Sequence, residues 1–175
     1  MPVILNVTGP HSILWGNAGS TATTELGRAD NDDLFNIDME YQYNDVMTNE
    51  FGMNPADAIL MGAKAFVNFT LVTYDPDQLA SILQRTDGQT GSTANTVYFP
   101  KVGSVVYNTS PTVGGLLVSL KVDSDIASAP HYTIDRCRLI STTVKDVGNK
   151  PTRAGFKFEI LPGTTGSTIY TRTTS

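Results

Sequence analysis

The sequence predicts a mainly β domain, a β-sandwich or split β-barrel with one α-helix at about residues 76–85 and long assembly loops. Three observations carry this. From Phe35 to Asn44 the side chains alternate strictly: Phe35, Ile37, Met39, Tyr41 and Tyr43 fall on one side, and Asn36, Asp38, Glu40, Gln42 and Asn44 on the other. Period two is the mark of a half-buried strand. The composition is Thr-rich and only 17% charged, which favours strands over helices. Turn signals at Ser110-Pro111, Gly114-Gly115, Ala129-Pro130, Gly148-Asn149 and Pro162-Gly163 cut the second half into short segments.

The elements follow in order. Val3 to Thr8 and Ser12 to Trp15 read as short apolar strands turned at Gly9-Pro10. From Gly16 to Asp33 the chain is Gly, Ala, Thr, Asn and Asp with little apolar content, which predicts one long loop, flexible or ordered by a partner. Phe51 to Leu60 is turn-rich and reads as a second such loop. Lys64 to Tyr74 is apolar on both faces, as a central or interface strand is. Asp75-Pro76-Asp77-Gln78 starts a helix: Asp75 caps, Pro76 suits the first helical position and Gln78 can reach back. Leu79, Ile82 and Leu83 then form its apolar stripe. Strands are expected at 97–99, 103–107, 116–122, 132–144, 155–161 and 168–172, in a single domain spanning 1–175.

At 175 residues the chain can bury a sizeable core unaided. The single cysteine, Cys137, excludes an internal disulfide and, in a strand, points away from Arg136 and Arg138, as a core cysteine does. Residues 1–87 hold 12 acids and 3 bases, and residues 88–175 hold 5 acids and 9 bases. One half is acidic and the other mildly basic, which either cancels within the fold or lets copies meet acid to base. No basic cluster marks a nucleic-acid site. The first residues lack a basic region and an apolar run, so a soluble, cytosol-made chain is expected.

Catalytic chemistry is not expected. His11 and His131 have no metal-ligand spacing, the Asp38/Glu40 pair is a common solvated arrangement, and Asp30, Asp32 and Asp33 lack a calcium-loop pattern. No phosphate loop or nucleophile elbow is present. We expect no enzyme, no cofactor and no metal.

The passage Gly52-Met53-Asn54-Pro55-Ala56-Asp57-Ala58-Ile59-Leu60-Met61-Gly62, followed by the strand from Lys64 and the helix from Asp75, resembles tail tube proteins of long-tailed bacteriophages. The resemblance covers roughly residues 34–85. Tail terminators, head–tail connectors and tail-tip hub domains share these features. It implies a virion structural protein, assembled in the host cytoplasm, whose copies form stacked, hexameric rings around a channel for DNA. Its partners would be further copies and other tail proteins, namely the tip, the terminator and a sheath where there is one. DNA would pass without specific binding, and no membrane is involved.

Two kinds of residue then stand out. Asn36, Asp38, Glu40 and Gln42 are expected to face the channel, where carboxylates repel phosphates and let DNA slide. Ala18, Thr21, Thr24, Phe51, Met53, Ile59 and Leu60 are expected in intersubunit loops, so that deleting Ala18 to Thr24 leaves folding intact and stops polymerisation. Alternatives from other classes are a capsid decoration protein and a carbohydrate-binding β-module. The latter needs an aromatic platform, and Trp15 is the sole tryptophan.

Overall fold

The computed structural model describes residues 11–29, 35–47, 55–87, 117–126, 129–145, 153–162 and 168–173. The expected strands at 3–8, 97–99 and 103–107, and the residues Phe51 and Met53, lie outside them. The described chain is mainly β: β1 (His11–Asn17), β2 (Thr24–Ala29), β3 (Asn36–Met47), β4 (Pro55–Tyr74), β5 (Val118–Ser124), β6 (His131–Lys145), β7 (Arg153–Ile160) and β8 (Thr171–Thr173), with α1 (Pro76–Asp87) between β4 and β5.

Every pairing is antiparallel. β2 pairs β1, β1 pairs β5, β5 pairs β6, β6 pairs β7 and β7 pairs β4. A short seam between β2 and β4, at Gly27, Arg28 and Ala29, closes this circuit. The closure is narrow, so the sheet is a split barrel rather than an even one. β2 and β3 both lie on the edge of β4 opposite β7, one after the other.

The inward positions make the core. Phe69 stacks on Phe156 and Phe158 at centroid distances of 5.2 and 5.9 Å, and Ile13, Leu26, Val67, Leu71, Val118, Leu120 and Val122 pack around them. The helix begins as its sequence predicts: the Asp77 backbone N–H donates to Asp75 Oδ1 at 2.9 Å, satisfying one of the free amides of the first turn. Leu79, Ile82 and Leu83 are all buried. Burying each stabilises the fold by about 1.5–3 kcal/mol.

Two expectations need correcting. Gly16 to Asp33 is not one long loop, because β1 runs to Asn17 and β2 occupies Thr24–Ala29. Leu26 is fully buried and Ala22 nearly so, which gives this polar stretch the two apolar anchors it needs. Ala18 lies in the turn after β1, Thr21 in the short connection, and Thr24 pairs Trp15. Deleting Ala18 to Thr24 removes Ala22 and the link between two paired strands, so it disrupts the fold rather than sparing it. The second expected loop is likewise largely strand: β4 starts at Pro55, and Ile59 and Leu60 belong to it.

A candidate assembly surface

β4 pairs β7 only from Ala65 to Leu71, yet it pairs β3 as far out as Pro55 opposite Met47. Among the described residues, the β3–β4 hairpin beyond Ala65 is therefore a two-stranded arm. A bulge between Gln42 and Tyr43 absorbs one extra residue of β4, so Tyr43 faces Leu60 as Tyr41 faces Ala63. The core-facing row of β3 thus runs out uncovered along the arm. Met39, Tyr41, Tyr43, Ile59, Leu60 and Met61 are each 46–66% exposed. Tyr41 and Tyr43 lie 6.4 Å apart, and the Tyr41 hydroxyl reaches Met39 Sδ at 3.7 Å. Among the described residues no strand pairs the outer edge of β3.

The opposite face of β3 carries Asn36, Asp38, Glu40 and Gln42 as expected, all exposed. Asp38 accepts hydrogen bonds from Asn36 Nδ2 at 3.0 Å and from Asn68 Nδ2 at 2.7 Å. The surface is not purely acidic, however. Register places Lys64 opposite Glu40, and the row Asp38, Phe66, Glu159 and Arg138 crosses four strands on one face. Arg138 Nε donates to Glu159 Oε2 at 2.6 Å, and Lys157 Nζ sits 4.6 Å from the Phe66 ring centroid. Three cations from β4, β6 and β7 offset the carboxylates, which corrects the expectation of an anion-repelling face.

At the root of the arm lies a groove of about 320 Å³ lined by His11, Phe35, Ile37, Met39, Val122, Tyr132 and Tyr170. Phe35 and Tyr132 are 6.1 Å apart, and Tyr132 and Tyr170 5.7 Å. These aromatics are dispersed in the sequence and meet only because β6 and β8 pair beside β3's inner row, so no local signal could have found them.

Cys137 is fully buried, donates to the Val118 carbonyl, and has its thiol pKa pushed up by burial. It is a core residue, inert as a nucleophile. Among the described residues no group of three His, Cys, Asp or Glu could hold a metal ion. His131 does not stand alone: its Nδ1 lies against Asp123.

Two groups couple this region to pH. The hydrogen bond from Lys121, at 2.9 Å, and then the nearby His131 hold the Asp123 carboxyl below its ordinary value. Burial lowers the His11 pKa, with Asp125 partly opposing. In both cases the folded pKa is depressed, so the stabilisation is present above the unfolded value and is lost as pH falls through the folded one. We expect stability to drop first below about 6.5, from His11, and again below about 3.9, from Asp123. Urea midpoints against pH check this, and a His11→Asn variant should flatten the first drop. A wild-type profile that is level from pH 7 to 5 would contradict the His11 assignment.

The fold and this surface define a class: a mainly antiparallel β protein with, among the described residues, one helix and an uncovered β-arm. No family model matches the chain, and no curated protein matches it. Among solved structures it is similar to a type six secretion system protein, at 12% identity and a TM-score of 0.34 over 87% of this chain and 79% of that one. A superposition that loose carries no argument about function.

Proposed function

We propose that the chain is a structural subunit of a bacteriophage tail tube, whose copies close into rings, hexameric as in that family, and stack around a channel for DNA. The observation that carries this reading is the arm: its apolar row is about half exposed and, among the described residues, no strand pairs the long outer edge of β3. An edge of this length templates pairing with another chain. Here the edge continues a sheet from which a neighbour's strand can extend, and the apolar row gives that neighbour something to bury.

The polar face of β3 is the natural channel lining in this arrangement. Asp38, Glu40 and Glu159 then sit among Lys64, Lys157 and Arg138, so DNA meets a surface whose charges are already compensated. Such a lining neither holds phosphates nor excludes them strongly, and release of counterions, the main source of non-specific affinity, is small. Other tail proteins would bind the ends of the tube, and the assembly would form in the host cytoplasm.

The test is light scattering and cryo-electron microscopy of the purified protein across a concentration series. Rings or tubes are expected, with Asp38 and Glu40 facing the axis in the reconstruction. A strict monomer at millimolar concentration, unchanged by a tail-tip complex, sinks the subunit reading, and carboxylates on the outer wall sink the lining.

A further inference from the structure

Three aromatic rings from separate elements meet at the root of the arm. Phe35 immediately precedes β3, Tyr132 belongs to β6 and Tyr170 immediately precedes β8. Tyr132 lies 6.1 Å from Phe35 and 5.7 Å from Tyr170, with ring planes turned by 33° and 57°, so neither pair is a flat stack. With Met39, Val122 and His11 they bound the groove of about 320 Å³. The β1–β5–β6 pairing supplies one wall: Val122 is opposite Tyr132 in register, and His11 is opposite Ser124, two residues further along β5. The volume falls at the lower end of the range of small-molecule sites, roughly 300–1,000 Å³.

The lining discriminates by charge. Among the described residues no Lys, Arg, Asp or Glu lines the groove, so an anion finds no counter-charge there. His11 is the one ionisable nitrogen in the lining, and burial disfavours its protonated form, while the charge that acts on it is the Asp125 carboxylate. Arg28 pairs with Asp125 at 2.8 Å, Lys121 and His131 hold Asp123, and Arg172, opposite Tyr132 in register, is itself engaged; none of these cations is part of the lining. At neutral pH the groove therefore offers aromatic rings, an uncharged imidazole and a carboxylate at its rim.

The face of an aromatic ring attracts a cation held within about 6 Å of its centroid. The protein already makes this contact once on its outer face, where Lys157 Nζ lies 4.6 Å from the Phe66 centroid. A neutral apolar guest would gain from burial alone, and burial is incomplete here because Met39 and Tyr170 are 46% and 39% exposed. A primary ammonium is strongly hydrated, whereas a methylated one sheds its water cheaply and presents methyl groups to Met39 and Val122. We infer that the groove is a binding site for a small quaternary ammonium molecule of the choline type, held by the rings of Phe35, Tyr132 and Tyr170. The net charge of −5 favours the approach of such a cation. The site is a property of the single subunit and stands or falls apart from the assembly reading.

Titration of the full, unassembled chain with choline at neutral pH, followed by NMR, tests this. The signals of His11, Phe35, Tyr132 and Tyr170 should shift together, with a Kd of about 1 mM or below. Dimethylbutanol, the isostere in which carbon replaces the nitrogen, should bind about tenfold more weakly, because it keeps the shape and loses the charge. Tyr170 is partly exposed, so Tyr170→Leu should fold as wild type does; it should weaken choline about fivefold and the neutral alcohol less than about twofold, whereas Tyr170→Phe, which keeps the ring, should bind choline within about twofold of wild type. A peptide carrying trimethyllysine should bind more weakly than choline, and the reverse order would overturn the assignment to a small molecule. Choline and the neutral alcohol binding equally, shifts confined to other residues, no binding at all, or a Tyr170→Leu variant that holds choline as tightly as wild type would each overturn the site.

Discussion

Replacing Gly27 with alanine should destabilise the fold by about 3 kcal/mol or more, the largest single-residue effect we expect. A Cβ at this position would lie 2.1 Å from the Thr73 carbonyl oxygen and 2.9 Å from Tyr74 Cα. Both are backbone atoms of β4, which cannot swing aside as a flexible side chain can. β4 is held on its far edge by β7 up to Leu71, and the Asp75 N–H donates to the Leu26 carbonyl at 3.3 Å beside the clash. Relief therefore requires opening the seam that closes the barrel circuit. Gly62 is the control, since a Cβ there meets nothing within 4 Å. Gly62→Ala should change stability by less than about 1 kcal/mol. Urea unfolding of both variants decides the matter, and a Gly27→Ala shift below about 1 kcal/mol would mean that the seam is not a structural closure.

That seam also marks the limit of what sequence reading could reach. The helix start at Asp75-Pro76 was legible because a cap is local chemistry among four consecutive residues. β3 was legible because its alternation repeats within one strand, and β5, β6 and β7 because turn residues bracket them. β2 was not: with Leu26 as its one large buried side chain and Gly27 and Arg28 after it, its strand conformation is imposed by pairing with β1 and β4. The outer half of β4 was missed for the same reason. Pro55 and Gly62 signal turns locally, and only the pairing with β3 holds them extended.

The candidate surface divides along the same line. The carboxylates of β3 could be read directly, whereas the cations that compensate them arrive from β4, β6 and β7 through register. Composition did record the imbalance between an acidic first half and a basic second half. Register brings part of that imbalance together, setting Lys157 and Arg138 of the second half on the face that carries Asp38 and Glu40 of the first.

Changing Tyr41, Tyr43 and Leu60 together to threonine should raise the critical concentration for assembly at least ~100-fold while leaving the isolated subunit folded. Threonine keeps the strand preference of the arm, so the substitution removes apolar area without disturbing the pairing of β3 with β4. Each side chain is about half exposed in the subunit. Covering the remainder in a contact is worth about 1 kcal/mol apiece, half of what full burial of a large apolar side chain contributes. Three such losses amount to about 3 kcal/mol, and each 1.4 kcal/mol is a factor of ten. By the same arithmetic the half of each side chain already buried in the subunit contributes about 1 kcal/mol apiece, so the monomer should lose at most about 3 kcal/mol of stability and stay folded. Light scattering and electron microscopy read the assembly, and unfolding reads the subunit. Tubes forming at the wild-type concentration would show that the arm's apolar row is not an interface, and a subunit that no longer folds would show that the row belongs to the core it extends.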